Sequence, residues 1–197
     1  MTHRPDIIVL LSGGLDSIVA AQRAYRLGRL LGVVHFVYQH PAQGEERRAV
    51  AEVCRRWHMD GAFIQRWDVD LPLRGVGELA IGPGMPGPRV VAGRNLAMLS
   101  MAVNLAAGVG ASQVWIGCTA EDSDSYPDCR PEFIGEVDRM SQPFGVRVVA
   151  PFIGNTRAEV VARGRRDGAP LDLAWSCYEP RDGKPCGSCD SCRQGAT

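Results

Sequence analysis

The chain has 197 residues and a mass of 21.3 kDa, and 45% of its residues are hydrophobic, which suits one compact domain with at most a small appendage. Its 22 Lys and Arg residues balance 22 Asp and Glu residues, so the surface as a whole does not attract nucleic acid or anionic lipid at long range, and a small polar substrate is favoured. The sequence has no run of about eighteen apolar residues and no secretory signal, so we expect a cytoplasmic protein without a membrane partner.

Short apolar strands alternate with amphipathic helices along the chain. The predicted strands are 6–11, 33–38, 62–67, 113–117 and 146–150. The predicted helices are 15–27, 45–58, 95–107 and 131–140, followed by a last short helix capped by Thr156. Residues 68–93 are rich in glycine and proline and predict a long functional loop. This order predicts an α/β fold with a doubly wound parallel sheet, which binds ligands at the carboxyl ends of its strands.

A glycine-rich turn, Ser12-Gly13-Gly14-Leu15-Asp16-Ser17, joins the first predicted strand to the first helix. Two glycines let the backbone approach an anion, and the N–H groups at the helix start point towards it. The SGGxDS pattern resembles the PP-loop of ATP pyrophosphatases, which activate an acid or amide as an adenylate. In that setting Asp16 would help to hold Mg²⁺, since a hard cation prefers carboxylate oxygen. The other interpretation is an ordinary tight turn with a Ser or Asp cap.

Four of the seven cysteines lie close together near the end of the chain, and they are Cys177, Cys186, Cys189 and Cys192. Four thiolates with two-residue gaps are typical of a closed tetrahedral zinc site. We therefore expect a zinc-binding module over residues 171–197, appended to a nucleotide-binding domain over residues 1–170. Free thiols, an iron–sulfur centre, a redox pair or a nucleic-acid-binding zinc ribbon are the alternatives. Cys54 and Cys118 are predicted to be small buried residues.

A third motif, Tyr126-Pro127-Asp128-Cys129-Arg130, follows the fourth predicted strand and precedes a helix, which places it at the ligand edge of the sheet. Alone, this pentapeptide indicates little. Together with SGGLDS and with SCYEPRDGKPCGSCDSC at residues 176–192, it makes the chain similar to the QueC family, the 7-cyano-7-deazaguanine (preQ0) synthases of queuosine biosynthesis. The resemblance extends from residue 8 to residue 193.

The resemblance implies an ATP-dependent carbon–nitrogen ligase with a PP-loop fold of the adenine nucleotide alpha hydrolase type. Such enzymes convert 7-carboxy-7-deazaguanine and ammonia into the nitrile by adenylating and amidating the carboxylate, and then adenylating and dehydrating the amide. It further implies ATP, Mg²⁺ and Zn²⁺ as cofactors, no nucleic-acid partner, and a homodimer. The implied nucleotide-binding residues are Leu11, Ser12, Gly13, Gly14, Leu15, Asp16, Ser17, Arg94 and Asn95, of which Ser12, Asp16, Ser17 and Arg94 would be catalytic. The implied substrate residues are Tyr126, Asp128, Cys129, Arg130 and Arg157.

Three positions depart from the family pattern. The segment Val91-Ala92-Gly93-Arg94-Asn95 lacks a proline, residues 39–44 do not align, and Arg157 stands in place of a lysine. These departures motivate a second hypothesis, a QueC-like enzyme that stops at the amide or joins the activated deazapurine to another amine, such as one on a protein.

Two further alternatives stay open. A tRNA-binding or thiolating PP-loop protein would use Cys129 as a sulfur carrier, although the zero net charge argues against it. The second alternative concerns Arg94 and Asn95, which would merely cap a helix and bind no nucleotide. His35 and His40 have no metal-ligand spacing and remain without a predicted role.

Overall fold

A five-stranded parallel sheet forms the centre of the computed structural model, which describes residues 6–38, 40–59, 64–71, 91 and 93–193. The strands are β1 (Ile7–Leu10), β2 (Leu30–Val37), β3 (Gln65–Asp70), β4 (Gln113–Trp115) and β5 (Arg147–Val149). They lie in the order β3-β2-β1-β4-β5, and each neighbouring pair is parallel. The strand order reverses between β1 and β4, so the predicted doubly wound sheet is confirmed and its switch point lies there.

Helices cover both faces of the sheet. In the described residues they are α1 (Leu15–Arg26), α2 (Gln43–Met59), α3 (Arg94–Val109), α4 (Ala120–Ser125), α5 (Pro131–Ser141), α6 (Arg157–Asp167) and α7 (Asp190–Arg193). Ile7 and Val9 of β1 pack into the core beneath α1, α2 and α6, whereas Ile8 and Leu10 pack into the core beneath α3 and α5. Burial on both faces explains why the sequence of β1 is continuously apolar. Within the described ranges, no helix is long and apolar enough to cross a bilayer.

The structure corrects the predicted boundaries in two places. Strand β2 begins at Leu30 and not at 33, and the prediction started late because Gly32 is a weak strand former. In the structure Gly32 lies beneath the Trp67 ring, where a Cβ would come within 2.4 Å of a ring atom. Strand β3 continues through residues 68–70, so the loop predicted over 68–93 is wrong at its start. This edge strand pairs by its backbone, and its alternating aspartates hid it from sequence analysis. Residues 72–90, most of that loop, lie outside the described residues.

Helix α4 was not anticipated, because its sequence, AEDSDS, is entirely polar apart from one alanine. A reciprocal capping box holds its start: the Thr119 side chain accepts from the Asp122 N–H, and the Asp122 carboxylate accepts from the Thr119 N–H. The predicted cap of the last short helix is confirmed, since Thr156 forms the same arrangement with Glu159. These caps fix the helix starts that border the carboxyl ends of β4 and β5.

Gly117 follows β4 at a point where the chain passes close beneath the start of α1. A Cβ there would lie 2.8 Å from the Asp16 carbonyl carbon and 2.8 Å from the Ser17 nitrogen, both backbone atoms that cannot rotate away. We expect Gly117→Ala to lower the free energy of unfolding by about 1–3 kcal/mol through overpacking. The matched control is Gly135→Ala in α5, where nothing lies within 4 Å and alanine should add about 0.4–1 kcal/mol. Denaturant unfolding would contradict this if the two variants shifted stability in the same direction.

Candidate functional site

A cavity of about 530 Å³ opens at the switch point, at the carboxyl ends of the strands. Its volume lies in the range of small-molecule and cofactor sites. Its walls come from the loop after β1, the segment after β2, the starts of α3 and α6, the residues around α4, and the C-terminal segment 175–193. The three motifs of the sequence therefore meet around one space.

The loop after β1 has the backbone geometry of an anion cradle. Gly13 has a φ of +90°, and a Cβ there would lie 2.9 Å from the Glu46 carbonyl oxygen, so only glycine fits this position without strain. Gly14 is the N-cap of α1 and has no side chain that could bond to the first N–H groups of the helix. These N–H groups are therefore available to an anion in the cavity. The Ser12 and Ser17 hydroxyls lie 3.2 Å apart, and Ser17 Oγ donates to the Gly14 carbonyl oxygen at 2.8 Å.

Asp16 lies in the first turn of α1 and lines the cavity. Its Oδ2 is 3.4 Å from Nη2 of Arg157, whose guanidinium also lies 3.8 Å from Asp122 Oδ1. Asp16 Oδ1, in contrast, is buried and has no hydrogen-bond partner among the described residues. Burial raises the pKa of Asp16 to about 6 against the opposing charge of Arg157, and the carboxylates of Asp122 and Glu121 raise it further. An unpartnered carboxylate oxygen beside a phosphate cradle fits a hard divalent cation.

The start of α3 is tied to the third motif. The Asn95 backbone N–H donates to Asp128 Oδ2 at 3.2 Å, and Asn95 Nδ2 donates to the Asp128 carbonyl oxygen at 3.3 Å. Arg94 Nη1 donates to the Tyr38 hydroxyl at 3.0 Å, with the guanidinium carbon 5.9 Å from the centre of that ring. Arg94 and Asn95 therefore do more than begin a helix, because they join the cavity walls on either side of β1.

The other residues of the third motif divide between the cavity and the surface. Tyr126 and Cys129 line the cavity, whereas Arg130 is exposed, and its Nε lies 3.3 Å from the Ser123 carbonyl oxygen. A hydrogen bond with Cys129 and burial raise the pKa of Cys118, so its thiol is protonated at neutral pH. The predicted burial of Cys54 and Cys118 is confirmed.

Sequence reasoning missed a cluster of polar side chains beside Arg94. His40 Nε2 lies 3.5 Å from Glu46 Oε2, and the His40 and Tyr38 rings have centroids 4.4 Å apart. Burial and the charge of Arg94 lower the pKa of His40 to about 4, whereas burial raises the pKa of Glu46 to about 7 against that charge. The one available signal was the departure from the family pattern at residues 39–44, which gave a location but no role.

His35 on β2 was also left without a role, and the structure places it in the core. Its Nδ1 lies 3.0 Å from the Leu11 carbonyl oxygen, the last backbone acceptor before the phosphate loop. Leu11 itself donates its N–H to the Val34 carbonyl oxygen at 2.9 Å and lines the cavity. These bonds hold the end of β1 from both sides.

The four C-terminal cysteines come together as their spacing predicted. Their sulfur atoms all lie within 4.8 Å of one another, with two pairs, Cys186–Cys192 and Cys177–Cys189, at 4.0 Å. Sulfurs about 2.3 Å from one tetrahedral ion stand about 3.8 Å apart, so the cluster fits a metal of that size. The N–H groups of Cys186 and Cys189 donate to cluster sulfurs at 3.2 and 3.3 Å, which favours the thiolate form.

The cysteine segment also belongs to the cavity wall. The Trp175 N–H donates to the Gly13 carbonyl oxygen at 2.9 Å, and the Trp175 indole N–H donates to the Cys177 carbonyl oxygen at 2.9 Å. Ser188, Ser191 and Arg193 contribute to the lining. The segment is thus joined to the phosphate loop by two hydrogen bonds in series, and the division at residue 170 stays a prediction.

Comparisons with a protein-family model and with individual proteins identify relatives of this chain. A family model described as queuosine biosynthesis protein QueC matches residues 6–196. A 7-cyano-7-deazaguanine synthase from Campylobacter curvus is 34% identical over an alignment of 206 positions that covers 94% of this chain and 89% of the relative. Another from Koribacter versatilis is 37% identical over an alignment of 203 positions that covers 94% of this chain and 84% of the relative.

The solved structures add a likeness of fold. The U34-tRNA thiolase NcsA from Methanococcus maripaludis, solved with its 4Fe–4S cluster, superposes with a TM-score of 0.58 at 15% identity, covering 99% of this chain and 65% of that one. At such low identity the match shows a shared fold alone. The match of a QueC model across nearly the whole sequence, with relatives above 30% identity, shows that this chain belongs to the QueC family.

Proposed function

We propose that the protein makes 7-cyano-7-deazaguanine from 7-carboxy-7-deazaguanine by ATP-dependent activation. The observation that carries this proposal is the single cavity in which a QueC-family chain brings together the phosphate loop, the Tyr126–Cys129 wall and the cysteine segment. The use of ammonia as second substrate, the ligase chemistry and a homodimeric assembly rest on the family resemblance.

The phosphate end of the cavity would bind ATP. The N–H groups at the start of α1 and the hydroxyls of Ser12 and Ser17 would donate to phosphate oxygens. Asp16 would hold Mg²⁺, which supplies neutralisation of phosphate charge when it is bound. Arg157, placed 3.4 Å from Asp16, would add a fixed positive charge beside the pyrophosphate that leaves.

The deazaguanine would lie on the other side of the cavity. Tyr126 and Cys129 offer the wall, and Asp128 retains one carboxylate oxygen, beyond the one bonded to Asn95, to accept from the base. Arg94, buried and held by Tyr38, would orient the carboxylate for adenylation. The proposed substrate role of Arg130 rests on the motif alone, because this side chain is exposed.

Mass spectrometry of the products tests this proposal. We expect the pure protein with 7-carboxy-7-deazaguanine, ATP, Mg²⁺ and ammonium to form the nitrile, and Asp16→Asn to form it about 10²–10³-fold more slowly. An amide without nitrile would favour the second hypothesis, in which the activated deazapurine meets another acceptor. Consumption of neither ATP nor the acid would contradict the proposal. Failure of the protein to shift tRNA at low salt would remove the tRNA-binding alternative.

A further inference from the structure

A half-buried acid and a neutral imidazole face the cavity close to the phosphate loop. Glu46 and His40 both line it, with Glu46 Oε2 and His40 Nε2 3.5 Å apart. The backbone of Glu46 packs directly on the loop, because its carbonyl oxygen would touch a Cβ at Gly13. The backbone of Glu46 is thus fixed beside the phosphate loop, and its side chain lines the cavity that this loop borders.

The other charged groups near Glu46 are engaged elsewhere. On its own helix, Glu45 pairs with Arg48 at 2.6 Å, and Arg47 lies 3.9 Å from Asp68 of β3. From α3, Arg94 faces Glu46 electrostatically but donates to the Tyr38 hydroxyl. The ionisable side chain seen beside the Glu46 carboxyl group is His40, with its Nε2 3.5 Å from Oε2.

The proposed reaction needs a proton acceptor in such a position. Ammonia arrives with three N–H bonds, and the nitrile nitrogen has none. In the first step the nitrogen lone pair forms the C–N bond, the C–O bond to AMP breaks with its electron pair on the phosphate oxygen, and one proton leaves the nitrogen. The remaining two protons leave as the adenylated amide loses AMP, which takes the amide oxygen with it. Each proton has to pass to a base with a pKa near the working pH.

We propose that Glu46 is this proton acceptor for the incoming amine, with His40 holding its carboxylate, and this inference rests on the function proposed above. The choice of Glu46 follows from its position and protonation. A carboxyl group whose pKa is about 7 both accepts a proton and releases it to solvent at neutral pH, whereas His40, with a pKa of about 4, stays neutral and can donate to the carboxylate. Cys118 is protonated and Arg94 is cationic, so neither can serve.

Two assays of the same protein distinguish a failure of this proposal from a failure of the proposed function. Exchange of pyrophosphate into ATP, dependent on 7-carboxy-7-deazaguanine, measures activation alone, and the amount of amide formed per AMP released measures amination. We expect Glu46→Gln to keep exchange within about threefold of wild type and to lower the rate of amide formation by about 10²–10⁴-fold. Glu46→Asp should restore part of that rate. The matched control is Glu52→Gln, an exposed acid of α2 paired with Arg55, which should change neither reaction.

The pH dependence of amide formation distinguishes a proton acceptor from a residue whose role is only structural. With the concentration of unprotonated ammonia held constant, amide formation by the wild type should fall as pH drops through about 7, and Glu46→Gln should lose this inflection. Unchanged amide formation in Glu46→Gln would overturn the proposal, and so would loss of exchange together with amination, since Glu46 would then serve activation or folding. Absence of exchange in the wild type would instead contradict the proposed function itself.

Discussion

Asp16→Asn should lower both pyrophosphate exchange and nitrile formation by about 10²–10³-fold, the range typical of losing one preorganised charge-stabilising group. Asparagine has the same shape but no charge to offer a divalent cation on the phosphates. The important oxygen is Asp16 Oδ1, which is buried and has no hydrogen-bond partner in the part of the chain that the structure describes, while Oδ2 is held 3.4 Å from Arg157. Arg157 would be left without this counterion, so the site would lose charge balance as well as a ligand.

The same variant should be more stable than the wild type in the absence of ligands. Because the pKa of Asp16 is raised to about 6 in the folded protein, the folded state binds its proton more tightly than the unfolded chain does. The contribution of Asp16 to the free energy of unfolding therefore falls as pH rises from about 4 to about 6 and stays lower above that. Asparagine removes this cost, so we expect Asp16→Asn to gain about 1–2 kcal/mol at pH 7 and nothing at pH 4.

Urea unfolding at the two pH values, combined with the exchange assay, checks both halves of this prediction. Asp124→Asn is the matched control, since Asp124 is an exposed residue of α4 outside the cavity lining. Asp124→Asn should match the wild type, within experimental error, in its free energy of unfolding and in its rate of pyrophosphate exchange. Full exchange activity in Asp16→Asn would remove this residue from the phosphate site, and a loss of stability at pH 7 would show that the Arg157 contact outweighs the burial of the charge.

Some features of the site were predictable because they are local in sequence. The run IIVL, the two glycines after it and the serines around them specify a buried strand, a tight turn and a helix start within a dozen residues. The cysteine cluster was predictable for the same reason, since ligands two residues apart can curl around one ion.

Other features depend on contacts that sequence patterns do not encode. The alternation of charged and apolar residues over 45–58 indicates a solvated helix face, yet Glu46 on that helix lines the cavity, because this part of α2 packs against Gly13. Arg157 meets Asp16 although 141 positions separate them in the chain, because α6 begins beside the start of α1. Tyr38 gains its role only from Arg94 on the opposite wall. Tertiary packing, not local propensity, created these groups.

Loss of the metal should release the C-terminal wall of the cavity. We propose that the four cysteines hold one Zn²⁺, which supplies a crosslink when bound and has no open position, because four thiolates fill a tetrahedron. The segment around the cluster has little core of its own: Cys177 is buried, whereas residues 178–189 are half-buried or exposed. Folding of this segment would therefore depend on the metal.

The consequence should reach the phosphate loop through Trp175. Its backbone N–H binds the Gly13 carbonyl oxygen and its indole binds the Cys177 carbonyl oxygen, so a loosened cluster frees the residue that supports the loop. We expect Cys192→Ser to lower amide hydrogen-exchange protection over residues 176–193 by at least about a hundredfold and to raise the KM for ATP about tenfold or more. Protection in β1 and α1 should change much less, because their core is formed without the cluster.

Metal analysis, amide hydrogen exchange and the kinetics of pyrophosphate exchange, all on the same preparations, check these effects. The wild type should contain about one zinc per chain, and Cys192→Ser should contain much less. Cys54→Ala is the matched control, because it removes a buried thiol of α2 that lies outside the cluster and should leave the metal content unchanged. Iron in place of zinc would overturn the assignment of the ion. Full protection of residues 176–193 in a metal-free variant would show that the segment folds on its contacts with the phosphate loop alone.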